Sequence, residues 1–127
     1  MYYSLLIKKI NFIYMPKLKV FSLNGCGFSQ NAEKLLNENN IDYSLVKIDY
    51  NEKESVKKQN NMNTFPQIFL ETNNDKIKIG GFSELKQVYT LINNMKDLDD
   101  LVDKLKITIS NSGNKNIYRL INILKKT

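Results

Sequence analysis

The sequence predicts an α/β domain with a central mixed four-stranded sheet and helices on both faces. Strand-like and helix-like segments alternate in the order β-α-β-α-β-β-α, and a short polar turn separates the last two strand-like segments. The length of 127 residues suits one domain with a substantial core. The hydrophobic fraction of 42% and the charged fraction of 25% are ordinary for a globular protein.

The first predicted unit is a strand over residues 17–21 followed by a helix that begins shortly after Cys26. Apolar residues recur there at the spacing of one buried helix face, and they are Phe28, Ala32, Leu35 and Leu36. We therefore expect Cys26 to lie where the strand ends and the helix begins, just before the first helical turn.

The middle of the chain continues the alternation with a strand and a short helix. Residues 43–48 are typical of a strand, and Asn51 with Glu54 resembles a capping box that opens a helix ending near residue 59. Because Val56 is the single apolar anchor of that helix, we expect it to be the weakest element of the fold.

Two further strands and a helix complete the predicted domain. Pro66 precedes a strand-like run at 68–70, a position where a sheet accepts proline. Residues 72–75 are typical of a hairpin turn and lead into a strand at 77–79, after which Ser83 is predicted to cap a helix. The apolar stripe of that helix consists of Leu85, Val88, Tyr89 and Ile92.

Segments at both ends lie outside this predicted unit. Residues 1–16 are apolar but are interrupted by Lys8 and Lys9, so they are too short for a membrane span and lack the charge pattern of a signal peptide. Residues 96–127 are predicted to be a helical extension, with a loop at 111–114, that packs against the core or a partner. Its two stripes consist of Leu98, Leu101, Val102 and Leu105, then Ile117, Leu120, Ile121 and Leu124.

Composition excludes several classes of function. The single cysteine excludes an internal disulfide, and the lack of histidine excludes imidazole catalysis and histidine metal sites. A reducing, cytoplasmic setting is therefore expected. The formal net charge is +6, but the lysines do not form the clustered basic face with interleaved aromatics that nucleic-acid binding requires. We expect neither nucleic-acid nor membrane partners.

Two interpretations of Cys26 follow from its position. The unpaired N–H groups and the dipole of a helix N-terminus stabilise an anion by up to about 2 kcal/mol, which favours a reactive thiolate. The hydroxyl of Ser29 is a further candidate donor to the sulfur. A buried structural cysteine that packs as a small hydrophobe is the more common fate of a lone thiol. The residues alone leave both interpretations open.

Three features occur in an order and spacing typical of one family. They are the box Cys26-Gly27-Phe28-Ser29, the triplet Thr64-Phe65-Pro66 before a strand, and the pair Gly80-Gly81 before a helix. Together they resemble the glutaredoxins over about residues 17–95. The resemblance implies a thioredoxin-like fold with a glutaredoxin domain at 17–95, preceded by an extension at 1–16 and followed by one at 96–127.

The resemblance also implies an enzyme, a glutathione-dependent thiol–disulfide oxidoreductase that acts in electron transport and cell redox homeostasis. Cys26 would be the nucleophile that attacks a mixed disulfide between glutathione and a protein. Ser29 stands where dithiol members carry a second cysteine, so only the monothiol route with free glutathione remains. The glutathione-binding residues implied by the resemblance are Phe28, Thr64, Phe65, Pro66 (expected to follow a cis bond), Gly81, Phe82 and Ser83. The expected partners are glutathione and glutathionylated or disulfide-containing proteins, and the expected state is a monomer.

Two positions depart from the family pattern. Glutaredoxins usually carry Lys or Arg three residues before the cysteine, where this chain has Leu23, and often Asp where it has Ser83. Lys58 or Gln59, ahead of the proline, is therefore a candidate partner for the glycine carboxylate of glutathione.

Two alternatives to the oxidoreductase remain. The box resembles that of monothiol glutaredoxins that hold a [2Fe-2S] cluster between two subunits with two glutathiones, and Cys26 would then be the metal ligand in a cluster-bridged homodimer. Those proteins usually carry a short insertion and a lysine upstream of the box, and this chain has neither. The second alternative is an inactive thioredoxin-fold module that binds a partner through its C-terminal extension.

Overall fold

The structure, a computed structural model, describes residues 15–73, 75–110 and 112–126. Its four strands and five α-helices follow the predicted order, and a short 3-10 turn at Tyr50–Glu52 precedes the second helix. The elements are β1 (Lys17–Leu23), α1 (Gly27–Glu38), β2 (Tyr43–Ile48), α2 (Lys53–Asn60), β3 (Gln67–Glu71), β4 (Lys76–Gly80), α3 (Phe82–Asn94), α4 (Leu98–Thr108) and α5 (Asn114–Leu124). Predictions for residues 1–14, Asn74 and Asn111 fall outside the described residues.

The four strands form one mixed sheet in the order β2-β1-β3-β4, which confirms the predicted fold class. β1 pairs parallel with β2, and β3 is antiparallel to both β1 and β4. Because parallel strands end at the same edge of a sheet, the chain leaves β1 and β2 side by side. The segment that carries Cys26 therefore lies beside the turn that follows β2.

The two faces of the sheet pack against different helices. On one face, β1 contributes Leu18 and Val20 to a large core that includes residues of α1 and α3. On the other face, Phe21 and Leu23 lie over a smaller cluster, and Cys26 also packs against it. The buried members of that smaller cluster are Ile48, Val56 and Phe65. Cys26 thus lies at the border between the small core and the protein surface.

Helices α4 and α5 contribute to the large core as well. Leu105 of α4 is fully buried, and the four predicted core positions of α5 are all buried. The prediction that this segment is helical is confirmed, and of the two expected packing alternatives the structure shows packing on the core. Among the described residues, no helix combines the length and the apolar character needed to cross a membrane.

The predicted buried face of α1 was wrong at one position. Phe28 is 63% exposed, and Ser29 takes the inward position together with Ala32 and Leu36. The Ser29 hydroxyl accepts a hydrogen bond from the N–H of Leu23 at 3.0 Å. Ser29 is fully buried, and this bond satisfies its hydroxyl. The small polar side chain therefore packs inward, and the Phe28 ring faces outward.

Two predicted helix caps were also wrong. The capping box before α2 joins Asp49 and Glu52 rather than Asn51 and Glu54, because the chain forms a 3-10 turn before the α-helix begins. The N-cap of α3 is Gly81, so Ser83 lies inside the first turn.

The predicted buried stripe of α4 was wrong at Leu98. This residue is 49% exposed, since it occupies the first helical position and lies outside the buried stripe.

A polar cluster fastens α1 to the sheet. The buried Ser22 hydroxyl donates to the Glu33 carboxylate at 2.5 Å, and Lys47 of β2 donates to the same oxygen at 2.9 Å. Burial by itself raises the pKa of Glu33, but the hydrogen bonds from Ser22 and Lys47 and the charge of Lys47 outweigh it, so the pKa lies below the usual 4.5. The ionised carboxylate is therefore bound more favourably in the folded protein than in the unfolded chain.

Glu33→Gln should lower the free energy of unfolding at pH 7 by on the order of 1–2 kcal/mol, because a charge-assisted pair becomes a neutral one. A lowered folded-state pKa contributes stability above the unfolded pKa, and that contribution is lost as pH falls through the folded value. The difference between variant and wild type should thus shrink below about pH 4. Urea unfolding at pH 7 and pH 3 measures it, with Glu38→Gln, at an exposed pair with Lys34, as the control. A difference of equal size at both pH values would contradict the prediction.

Candidate functional site

The candidate site is centred on Cys26, which is the N-cap residue of α1, as predicted. The side chain is half-buried, and the cysteine is free. The turn before it is closed by a hydrogen bond from the Cys26 N–H to the Leu23 carbonyl at 3.1 Å. Gly25 has a φ of +81°, a conformation that glycine adopts without strain. This turn places the sulfur at the N-terminal end of α1, where the first helical N–H groups lack intrahelical partners.

A second contact holds the turn in place. The Asn24 N–H donates to the Ile48 carbonyl at 2.9 Å, and its side-chain amide donates to Asp49 at 2.7 Å. These bonds tie the segment before Cys26 to the end of β2. Sequence reasoning missed this pair, because nothing in the local pattern connects residues 25 positions apart.

The loop at residues 61–66 lies opposite the thiol. The Cys26 sulfur lies 3.8 Å from the Phe65 carbonyl oxygen, within hydrogen-bonding distance for a thiol donor. The Phe65–Pro66 bond is cis, as the resemblance implied. Phe65 and Pro66 are buried, whereas Thr64 is exposed. The loop therefore places the Phe65 backbone carbonyl beside the sulfur.

The N-terminus of α3 lies next to the same loop. A Cβ atom built on Gly81 would lie 3.6 Å from the Pro66 carbonyl oxygen, which places the start of α3 against the end of the loop. The Glu84 carboxylate accepts a hydrogen bond from the Gly81 N–H at 2.7 Å. One donor of this terminus is therefore already occupied. Phe82 is half-buried and Ser83 is exposed in the first turn.

The remaining predicted site residues lie farther out. Phe28 lies in the first turn of α1, two residues after Cys26, and its side chain projects into solvent. Lys58 and Gln59 are exposed on α2, and no described hydrogen bond or ion pair joins their side chains to Cys26 or the 61–66 loop. Leu23 packs on the small core, so an apolar side chain lies where glutaredoxins usually carry a cation. Ser29 is bonded to Leu23 rather than to the sulfur.

This arrangement combines a single thiol, a helix N-terminus and a loop whose Phe65 carbonyl lies beside the sulfur. The thiolate form of a cysteine is the form that attacks a disulfide. The backbone of the 61–66 loop is suited to pair with an extended peptide. Because the chain has one cysteine and no histidine, its thiolate metal ligands are limited to one per subunit.

Comparison with known protein families gives a match that agrees with the resemblance seen in the sequence. The glutaredoxin family model matches residues 18–74, a range that contains Cys26 and the whole 61–66 loop. Comparison with curated proteins returned no significant match.

Several solved structures are similar to this chain. The structure of glutaredoxin 1 from Francisella tularensis complexed with cacodylate is 32% identical over 57% of this chain and 90% of that one, with a TM-score of 0.49. A buckwheat glutaredoxin–glutathione complex is 18% identical over 65% of this chain and 76% of that one, with a TM-score of 0.44. The holo form of glutaredoxin C1 from Populus tremula x tremuloides is 18% identical over 86% of this chain and 96% of that one, with a TM-score of 0.47.

The assignment of the family rests on sequence. The family model covers the reactive box and the proline triplet, and the Francisella tularensis protein is matched over nearly its whole length at 32% identity. The mixed four-stranded sheet with flanking helices agrees with the thioredoxin-like fold of that family. The chain belongs to the glutaredoxin family.

Proposed function

We propose that this protein is a glutathione-dependent thiol–disulfide oxidoreductase that uses a monothiol mechanism. The observation that carries the proposal is the position of the only sulfur nucleophile, at the N-terminus of α1 and 3.8 Å from the Phe65 carbonyl. The proposed substrates are mixed disulfides between glutathione and proteins.

The reaction proceeds in two balanced steps. The Cys26 thiolate attacks the glutathione sulfur of the mixed disulfide, a Cys26–glutathione disulfide forms, and the substrate protein leaves as a thiolate that takes up a proton. The thiolate of a second glutathione then attacks the glutathione sulfur bound to Cys26. Oxidised glutathione leaves, and the Cys26 thiolate is restored. Two electrons pass in total from glutathione to the substrate disulfide.

Four groups of residues are proposed to bind glutathione around the sulfur. The Phe65 backbone would pair with the cysteine residue of glutathione, with Thr64 and Pro66 on either side. The N–H groups of Phe82 and Ser83, next to Gly81, would face the γ-glutamyl carboxylate. Phe28 would cover the disulfide. Lys58 or Gln59 would meet the glycine carboxylate, because Leu23 offers no charge.

Turnover of a glutathionylated peptide tests the proposal. The wild-type protein with glutathione as sole reductant should release the free peptide well above the uncatalysed rate, and one glutathione should be found on Cys26 by mass spectrometry. No added thioredoxin or second thiol should be needed, since the second glutathione resolves the intermediate. A rate equal to the background reaction would contradict the proposal.

Cluster binding is the second candidate, supported by the Cys-Gly-Phe-Ser box and the single protein thiol. A 2Fe–2S cluster needs four ligands, so two subunits and two glutathiones would share it, with Cys26 as the only protein ligand in each subunit. Leu23 argues against this function, because a cation is absent from the place where the family usually holds glutathione.

Anaerobic reconstitution with iron, sulfide and glutathione separates the two functions. We expect a colourless monomer with good turnover, measured by visible absorption and size-exclusion mass. A coloured dimer that reverts to a colourless monomer when glutathione is removed would make cluster transfer the main function.

A further inference from the structure

The 61–66 loop that faces Cys26 has few backbone bonds of its own. Asn61 and Met62 donate backbone hydrogen bonds to the end of α2. Within the described residues, the backbone of 63–66 makes no turn or loop hydrogen bond to another backbone group. Lys78 of β4 donates to the Asn61 carbonyl at 2.8 Å. The other side-chain bonds that hold the loop involve its two flanking residues, which are Asn60, the last residue of α2, and Gln67, the first residue of β3.

Side chains join these two ends directly. Asn60 is 8% exposed and Gln67 is fully buried. The Asn60 side-chain amide donates to the Gln67 side-chain oxygen at 2.8 Å. The Gln67 side-chain amide donates to the Met62 backbone carbonyl at 3.3 Å. The loop is thus closed at its base by one side-chain bond and fastened internally by a second.

A lysine from the neighbouring strand completes the set. Lys76 of β4 donates to the Asn60 side-chain oxygen at 2.8 Å. Its ammonium lies 4.5 Å from the ring centre of Phe69 and 5.0 Å from that of Phe21. Cation–π attraction to two rings favours this position of the ammonium. The chain of bonds therefore runs from β4 through both amides to the loop backbone.

Burial of two amides requires an explanation, because apolar residues would fill the same space without the cost of desolvating polar groups. Hydrogen bonds are directional, so a fully satisfied buried network specifies one arrangement of the segments that it joins. Here the joined segments are both ends of the loop whose Phe65 carbonyl lies 3.8 Å from the sulfur.

We propose that Asn60, Gln67 and Lys76 form an amide brace that holds the 61–66 loop against Cys26 and so positions the bound disulfide for attack. This proposal rests on the proposed function, because the ligand positioned is the glutathione moiety. The three are positioning residues, since they act through the loop backbone. The brace sets how well the glutathionylated substrate is aligned and leaves the intrinsic reactivity of the thiol unchanged.

The double variant Asn60→Leu/Gln67→Leu tests this directly. Replacing both amides with apolar groups of similar size leaves no buried amide unpaired and removes only their further bonds to the Met62 carbonyl and Lys76. Gln67→Leu alone leaves the Asn60 amide unpaired and should destabilise the fold more. The double variant should raise the KM for a glutathionylated peptide by about threefold to tenfold, because small misplacements of a binding group weaken productive binding. The rate of Cys26 alkylation by iodoacetamide should not change.

Two further variants sharpen the result. Lys76→Met should also raise KM. Lys76→Arg should keep KM at the wild-type value, because arginine also donates to the Asn60 oxygen and stacks on aromatic rings. Ser22→Ala is the control, since it removes a buried hydrogen bond on the opposite face of the sheet. It should lower stability without raising KM. An unchanged KM in the double variant, or an equal rise in the control, would overturn the proposal.

Amide hydrogen exchange gives a readout that does not depend on glutathione. Residues 62–67 should exchange faster in the double variant than in wild type or in Ser22→Ala. If the wild type fails to turn over the peptide but this exchange still increases, the brace is supported and the proposed function is wrong. If the exchange is unchanged, the brace proposal is wrong whatever the activity.

Discussion

Cys26→Ser is expected to abolish the reduction of glutathionylated peptides, with a loss on the order of a thousandfold or more in turnover above background. A serine hydroxyl cannot form the intermediate disulfide with glutathione, and the chain offers no other thiol to replace it. Release of free peptide with glutathione as reductant measures the effect, and mass spectrometry should find no glutathione on the variant.

The variant should remain folded, so the loss of activity would come from the missing thiol and not from unfolding. Position 26 is the N-cap of α1, and serine is among the preferred N-cap residues, so the free energy of unfolding should be unchanged or slightly higher. Urea unfolding provides this control. Turnover that survives in a folded Cys26→Ser protein would remove the proposed mechanism, because another group would then carry the reaction.

Leu105→Ala is the second substitution with a large expected effect. Leu105 lies in α4, beyond the part of the chain that resembles the glutaredoxins, and it is fully buried in the large core. Truncation of a buried leucine to alanine costs about 2–5 kcal/mol, through lost burial and the cavity that remains. We expect one cooperative unfolding transition at lower urea concentration, recorded by circular dichroism.

The same helix provides a matched control. Ile107 is 84% exposed two positions later, so Ile107→Ala should change stability by no more than about 0.5 kcal/mol. Two separate transitions in the wild type, with only one of them sensitive to Leu105→Ala, would show that α4 and α5 unfold apart from the sheet. A single shifted transition would make the C-terminal helices part of the same cooperative unit.

Most of the architecture could be predicted because it is encoded by local patterns. The apolar stripes predicted the positions of α1 and α3 to α5, and β-prone runs with turn residues predicted the strands. The fully buried stripe of α5 was predicted in full, since a helix with one apolar face has one way to cover it. Helix caps were less predictable, because several neighbouring side chains compete for the same N–H groups.

For the candidate site as well, some features follow from local sequence and others only from the tertiary structure. By itself, the sequence determined that Cys26 is the only thiol, that it lies between a strand and a helix, and that the box, the proline triplet and the glycine pair resemble the glutaredoxins. Those are properties of residue type and spacing. They do not depend on how distant segments pack.

Only the tertiary structure decided which side chains meet across the sheet. Ser29 faces inward because its hydroxyl reaches the Leu23 N–H, and the Leu23 side chain packs on the small core. Asn60, Gln67 and Lys76 are polar residues that a sequence pattern assigns to the surface. They join beneath the 61–66 loop because the strand register brings β4 beside β3, and only that arrangement lets each buried amide find its hydrogen-bond partner.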